Sequence, residues 1–209
     1  MTGNRKALLI GINYLNAKPE QGRLNGCEND VKNMERYLTE HCSYDQSDIM
    51  VLTEDGEAQY QPTRKNMIAG MRWLTQGAQR HDALFFHYSG HGGQRPDGRG
   101  QTDEIYPVDF YYDSATRSFQ QTLTARDLNN LLVVPLPAGC RLTTVIDACH
   151  SASALALPYS YDHAGEAVPS SGASGRPSPA DVIEWAGCRD DQTSADADEG
   201  GQPQGAMTW

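Results

Sequence analysis

Two short stretches hold the groups that could do chemistry: His87-Tyr88-Ser89-Gly90-His91-Gly92-Gly93 and, much further along, Asp147-Ala148-Cys149-His150-Ser151. A thiol beside an imidazole is the minimum apparatus for nucleophilic attack on a carbonyl. In that chemistry Cys149 attacks, and His91 takes the thiol proton and later returns it to the leaving amine. Gly92 and Gly93 let the main chain approach a substrate closely, so the amides of Gly92 and Cys149 are candidate oxyanion donors. No carboxylate stands out to orient the imidazole, which leaves that task to a backbone carbonyl. The bland alternative is that Cys149 is a small buried hydrophobe and His91 a loop residue. His87 and His91 also sit four apart, a zinc-ligand spacing on a helix. They follow a β-forming run without a glutamate in second position, so no metal site is expected from them.

Each motif closes such a run, residues 83–86 in one case and 142–146 in the other. His91 and Cys149 therefore fall just past the C-terminal ends of two strands, the edge at which parallel α/β sheets carry their sites. Apolar patterning predicts strands over 6–12, 49–53, 84–87 and 141–147, with a strand or extended piece over 105–109. Helices are expected over 29–40, over 63–76 with Thr63 as N-cap, and from the near capping box Thr124-Ala125-Arg126-Asp127 to about Pro135. Residues 90–103 read as a loop. Alternating strands and helices imply an α/β fold, a mostly parallel central sheet with helices on both faces. Residues 163–179, rich in Gly, Ser, Ala and Pro, read as a flexible linker. It separates a catalytic region, 1–162, from a short second part of the same domain, 180–209. That part holds a strand over 182–186 and a polar loop over 187–205.

The 209 residues suit one domain. A formal net charge of -10 disfavours nucleic acid as a partner. Five cysteines without framework spacing argue for a reducing compartment, and the cytoplasm is the expected location. No apolar run approaches the roughly 18 residues of a membrane span. The basic start and short apolar run of residues 1–10 suit a buried first strand better than a signal peptide. A monomer is expected.

Acidic groups bear on specificity. Asp147 lies two residues before Cys149 and shares its side of an extended chain. Asp30 sits where the first loop enters a helix, at the same sheet edge. Two carboxylates near a nucleophile favour an Arg or Lys side chain at the cleavage point. For Asp30, compensation of the helix N-terminus explains the position equally well.

These residues resemble the metacaspases, caspase-like cysteine peptidases, in their type I (fungal-like) branch. The resemblance runs through Gly11-Ile12-Asn13-Tyr14, residues 24–31, the His91 motif, Ile105-Tyr106-Pro107-Val108-Asp109-Phe110, Arg141-Leu142-Thr143, the Cys149 motif and Leu157-Pro158-Tyr159. It resumes over 185–196 and 205–209. It implies a caspase-like fold, a His91–Cys149 dyad, and cleavage of peptides after Arg or Lys rather than Asp. It also assigns Cys27, Asp30, Ser89 and Asp147 to the basic-residue pocket.

Departures from the family pattern concern calcium, a cation that needs oxygen ligands. One family aspartate precedes the Ile-Tyr-Pro segment, and here Asp103 is displaced by a one-residue shortening. An acidic pair opens the next helix, where this chain has Ala125 and Arg126. Another aspartate follows the cysteine by seven residues, and here that residue is Ala156. No cofactor is therefore expected. Ala152 stands where a glycine is usual, the N-terminal Pro/Gln-rich stretch is absent, and Arg176 in the linker is a candidate self-processing site. Two functions remain open. One is a cysteine endopeptidase that no longer depends on calcium, and the other an inactive relative acting by partner binding. A His–Cys peptidase cleaving after Asn fits poorly with paired carboxylates.

Overall fold

The computed structural model describes residues 3–16, 22–98, 100–149, 153–161, 165–170, 175–187, 196–199 and 202–205. The chain opens with strand β1 (Arg5–Gly11), helix α1 (Cys27–His41), β2 (Ile49–Leu52), α2 (Arg64–Thr75) and β3 (Ala83–Ser89). Short antiparallel pieces follow: β4 (Gly92–Pro96), β5 (Gln101–Ile105), β6 (Tyr111–Asp113), β7 (Ser118–Gln120) and β8 (Leu123–Thr124). Helix α3 (Ala125–Leu128) continues as a wider turn over Asn129–Val133. After β9 (Arg141–Asp147) come β10 (Tyr159–Tyr161), β11 (Ala167–Pro169), β12 (Asp181–Ala186), β13 (Asp196–Glu199) and β14 (Gln202–Gly205).

The central sheet has the order β12-β9-β3-β1-β2, and all four of its pairings are parallel. Such a sheet needs cover on both faces, which is why β1 reads as an unbroken apolar run. Its side chains alternate: Leu8 and Ile10 pack with Met67, Met71 and Leu74 of α2, while Ala7 and Leu9 pack with Val31 and Leu38 of α1. The chain passes from β1 outward to β2 and then returns to the other side of β1 as β3. That reversal opens a crevice beyond the C-terminal ends of β1 and β3, where open α/β folds bind their ligands.

The helix signals behave as their chemistry requires. Thr63 Oγ1 accepts from the amide of Asn66 at 3.3 Å. The Thr124/Asp127 capping box is complete, with Asp127 N donating to Thr124 Oγ1 at 3.3 Å and Thr124 N to Asp127 Oδ2 at 3.0 Å. Helix α1 begins at Cys27, two residues earlier than patterning suggests, because Asn13 Oδ1 takes the Cys27 N–H at 3.1 Å.

Three expectations need correction. Residues 90–103 are not a plain loop: β4 pairs antiparallel with β5 in the register Gly92↔Ile105 to Pro96↔Gln101. Apolar alternation could not reveal it, since polar cross-strand pairs hold the hairpin. Arg95 Nε meets Glu104 Oε2 at 2.5 Å, and Gln94 Nε2 donates to Asp103 Oδ1 at 2.9 Å. The extended piece at 105–109 is instead the end of β5 and a turn closed by Phe110 N on Pro107 O at 3.1 Å. Within the polar stretch 187–205, β13 pairs antiparallel with β14. Separately, β11 pairs antiparallel with β10.

Candidate active site

The crevice wall is built from strand register. Ser89 lies opposite Asp147 in the β3–β9 pairing, and the chain then carries β3 into His91 and β9 into Cys149. Gly90 N donates to Asp147 O at 3.2 Å, which keeps the two exits side by side. Gly92 closes the gap. A Cβ on it would fall 2.3 Å from the carbonyl oxygen of Cys149 and 3.1 Å from Ala148 Cβ. Only glycine lets the segment after His91 rest on the backbone of Cys149. Both His91 and Cys149 are partly buried, and the described cysteines, Cys27, Cys42, Cys140 and Cys149, are not joined in disulfides.

A tyrosine cradle holds His91. The Tyr14 ring stacks on the imidazole with centroids 4.4 Å apart and planes 26° from parallel. The His91 amide donates to Tyr14 Oη at 2.9 Å, and Tyr14 Oη donates to Tyr106 O at 2.6 Å. Tyr88 Oη donates to the His91 carbonyl at 2.7 Å. Burial pushes the Tyr14 and Tyr88 hydroxyls well above the usual phenol range, so both stay neutral donors. Tyr14 adopts the left-handed region at φ 55°, a conformation costing about 1–2 kcal/mol for a residue with a Cβ. His91 Nε2 lies 3.2 Å from the carbonyl of Gly22, itself at φ 73°. A backbone carbonyl thus takes the place of the orienting carboxylate.

The four residues assigned to a basic pocket are all buried, at 4% exposure for Cys27, 0% for Asp30, 1% for Ser89 and 4% for Asp147. Ser89 Oγ donates to Asp30 Oδ2 at 2.6 Å. Asp30 therefore turns inward to the sheet rather than serving only the helix end. His87, on the same strand face two residues before Ser89, is fully buried. Desolvation lowers its imidazole to about 4, against the opposing pull of Asp147. It is a neutral part of the wall.

Asp103 is 3% exposed, and its carboxylate is already engaged. Oδ1 accepts from Gln94, while Oδ2 accepts from Ser153 Oγ at 2.6 Å and Ser153 N at 3.2 Å. Ala156 is buried at φ 51°, and its amide donates to Ser153 O at 2.9 Å. Among the described residues no cluster of three or more His, Cys, Asp or Glu is arranged to hold a metal ion. Asp103 thus has internal hydrogen-bond donors, and positions 125, 126 and 156 carry alanine or arginine in place of carboxylates. The backbone of Arg176 is pinned, its amide donating to Asn129 Oδ1 at 2.9 Å, and Pro177 follows it.

Sequence reasoning missed Tyr14, Tyr88 and Tyr106 as a cradle, Asn13 as a helix cap, Gly22 as the imidazole's carbonyl, and Ser153. Tyr14 stood inside a quoted motif, but an aromatic next to an apolar strand signals core first.

A parallel α/β sheet bringing the segment after a histidine onto a cysteine at its C-terminal edge defines a caspase-like fold. A family model, metacaspase, peptidase C14 domain, matches residues 5–158, and the chain belongs to this family of cysteine peptidases. It is 40% identical over 259 residues to Metacaspase-1 of Cryptococcus neoformans var. neoformans serotype D, covering 100% of this chain and 54% of that protein. It is 42% identical over 258 residues to Metacaspase-1A of Aspergillus niger, covering 100% and 61%. The chain thus spans little more than half the length of these relatives. The crystal structure of a Geobacter sulfurreducens protein, 22% identical, matches its fold with a TM-score of 0.66 over 98% of this chain and 79% of that one.

Proposed function

We propose that this chain is a cysteine endopeptidase that cleaves after Arg or Lys through Cys149 and His91 and needs no calcium. The carrying observation is the rest of Gly92 on the Cys149 backbone, which supports a reading in which imidazole and thiol act on one substrate carbonyl. His91 takes the thiol proton to form a thiolate–imidazolium pair, and the sulfur of Cys149 then attacks the carbonyl. The oxyanion takes the amides of Gly92 and Cys149. As the C–N bond breaks, His91 returns the proton to the leaving amine, and water then hydrolyses the thioester. Asp30, hydrogen-bonded to Ser89, and Asp147 across from Ser89 supply negative charge for a cationic side chain, with Cys27 one turn before Asp30 on α1 as a further pocket residue. The engagement of Asp103 by Gln94 and Ser153 supports calcium independence, because that carboxylate has an internal partner.

The test uses fluorogenic Arg, Lys and Asp peptides, with calcium or chelator, beside a Cys149→Ala control. Turnover after Arg and Lys that survives chelator and vanishes in the control is expected. A folded protein without turnover in either condition contradicts peptidase activity and leaves partner binding as the function.

A further inference from the structure

Around His91 the chain concentrates more ordering than an acid–base histidine needs from its ring contacts alone. Tyr14 is wholly buried, at 1% exposure, yet keeps a left-handed backbone. Its one side chain does three things. The ring lies flat on the His91 imidazole, the hydroxyl accepts the His91 amide, and the same hydroxyl donates to Tyr106 O. The next peptide plane carries the Gly92 amide, a proposed oxyanion donor, and its carbonyl, His91 O, accepts from Tyr88 Oη, which lies 3.1 Å from Tyr14 Oη. Residues in sparsely populated backbone regions persist where the surroundings over-determine them, and they cluster at active sites.

We infer that Tyr14 is a positioning residue that fixes the His91 imidazole and the Gly92 amide as one unit, its ring face also supporting the protonated imidazole. This inference rests on the cysteine-peptidase reading. An aromatic face attracts a cation placed over it, and in a thiolate–imidazolium pair the imidazole is the cation. Tyr14 faces the His91 ring, and the titratable groups interacting with the phenols around it are Tyr88, Tyr106, Cys27 and Cys149, with Glu104 and Arg95 against Tyr106. The three phenols are held neutral by burial, so the ring of Tyr14 and the carbonyl of Gly22 are fixed features across the working range.

Two substitutions separate the roles. Tyr14→Phe keeps the ring and loses the hydroxyl's contacts with His91 N, Tyr106 O and Tyr88 Oη; Tyr14→Leu loses the ring as well. For Tyr14→Phe, kcat on an Arg peptide is expected to fall about tenfold, as for one lost hydrogen-bond network, with KM within about twofold and both limbs of the pH profile unmoved. For Tyr14→Leu the alkaline limb is expected to move down by about half a pH unit or more, as the charged imidazole loses its aromatic face. Should Tyr14→Leu not fold, pentafluorophenylalanine at position 14 replaces it. That side chain keeps the shape of phenylalanine with a reversed ring charge distribution, and the same downward shift is expected. Limbs that stay fixed when the ring is removed or reversed overturn the inference, as does a Tyr14→Phe protein with wild-type kcat. Those results require an active wild type, so they are distinct from an inactive wild type, which sinks the peptidase reading and this inference with it.

Discussion

Ser89 gives its hydroxyl proton to Asp30 Oδ2 at 2.6 Å, deep between helix α1 and the sheet, and stands directly across from Asp147. One serine thus links a helix-borne carboxylate to the strand that leads into Cys149. Burying two carboxylates in one wall is costly without a cation to offset them. In the proposed function a guanidinium or ammonium of the substrate supplies that cation.

Replacing Asp30 by asparagine keeps the shape and removes the charge. On an Arg peptide, kcat/KM for Asp30→Asn is expected to drop about 100-fold, corresponding to about 2.7 kcal/mol. A citrulline peptide, neutral and nearly isosteric with Arg, should change less than about threefold by the same charge argument. Equal losses on both peptides would make Asp30 a structural residue only.

At Gly92 the conflict is with main chain, which cannot rotate aside. Gly92→Ala brings a Cβ to 2.3 Å from Cys149 O, so the two loops must part. Activity is expected to fall at least about 100-fold, as for loss of one oxyanion donor, while circular dichroism still reports a folded sheet. Full activity would separate His91 from the cysteine.

Asp103 ties hairpin β4–β5 to the segment after Cys149. Ser153→Ala removes its shortest bond, a charge-assisted contact worth about 2 kcal/mol. The melting temperature should fall by about 4–8 °C and kcat with it. Added calcium should restore neither. Recovery with calcium would show that a cation, not Ser153, is the natural partner of this carboxylate.

His87 makes stability depend on pH. Its imidazole is lowered to about 4 by burial, with Asp147 opposing, whereas the unfolded chain protonates near 6.5. Above pH 6.5 both states are neutral there and nothing is lost. As pH falls from 6.5 toward 4 only the unfolded state gains the proton, so stability declines, by about 3 kcal/mol over the window. Below 4 the loss is complete. His87→Gln should flatten that part of a denaturation-against-pH curve, and an unchanged slope would assign it to other groups.

Most of the framework was legible because each signal had a local cause. Apolar, β-forming runs marked β1, β3 and β9, spacings of three and four marked α1 and α2, and Thr63 and Thr124 announced helix starts by caps they then form. The positions of His91 and Cys149 just past the ends of β3 and β9 also followed, since strand ends fix where a residue emerges. Hairpin β4–β5 was hidden because Arg95–Glu104 and Gln94–Asp103 carry its pairing without apolar alternation. The cradle was hidden for another reason. Tyr14 reaches His91 across 77 positions of chain, a contact that only the topology of β1 beside β3 creates. Ser153 was missed because a serine in a loop carries no signature until a buried carboxylate faces it.

Alkylation of the thiol tests the joint action of Cys149 and His91 without any choice of substrate. Wild-type protein and His91→Ala are treated with iodoacetamide at pH 6, and modification of each of the five cysteines is followed by peptide mass analysis. Cys149 is expected to react at least about tenfold faster than an ordinary thiol, with that advantage gone in His91→Ala. Equal rates at Cys149 in the two proteins would contradict a thiol activated by this imidazole.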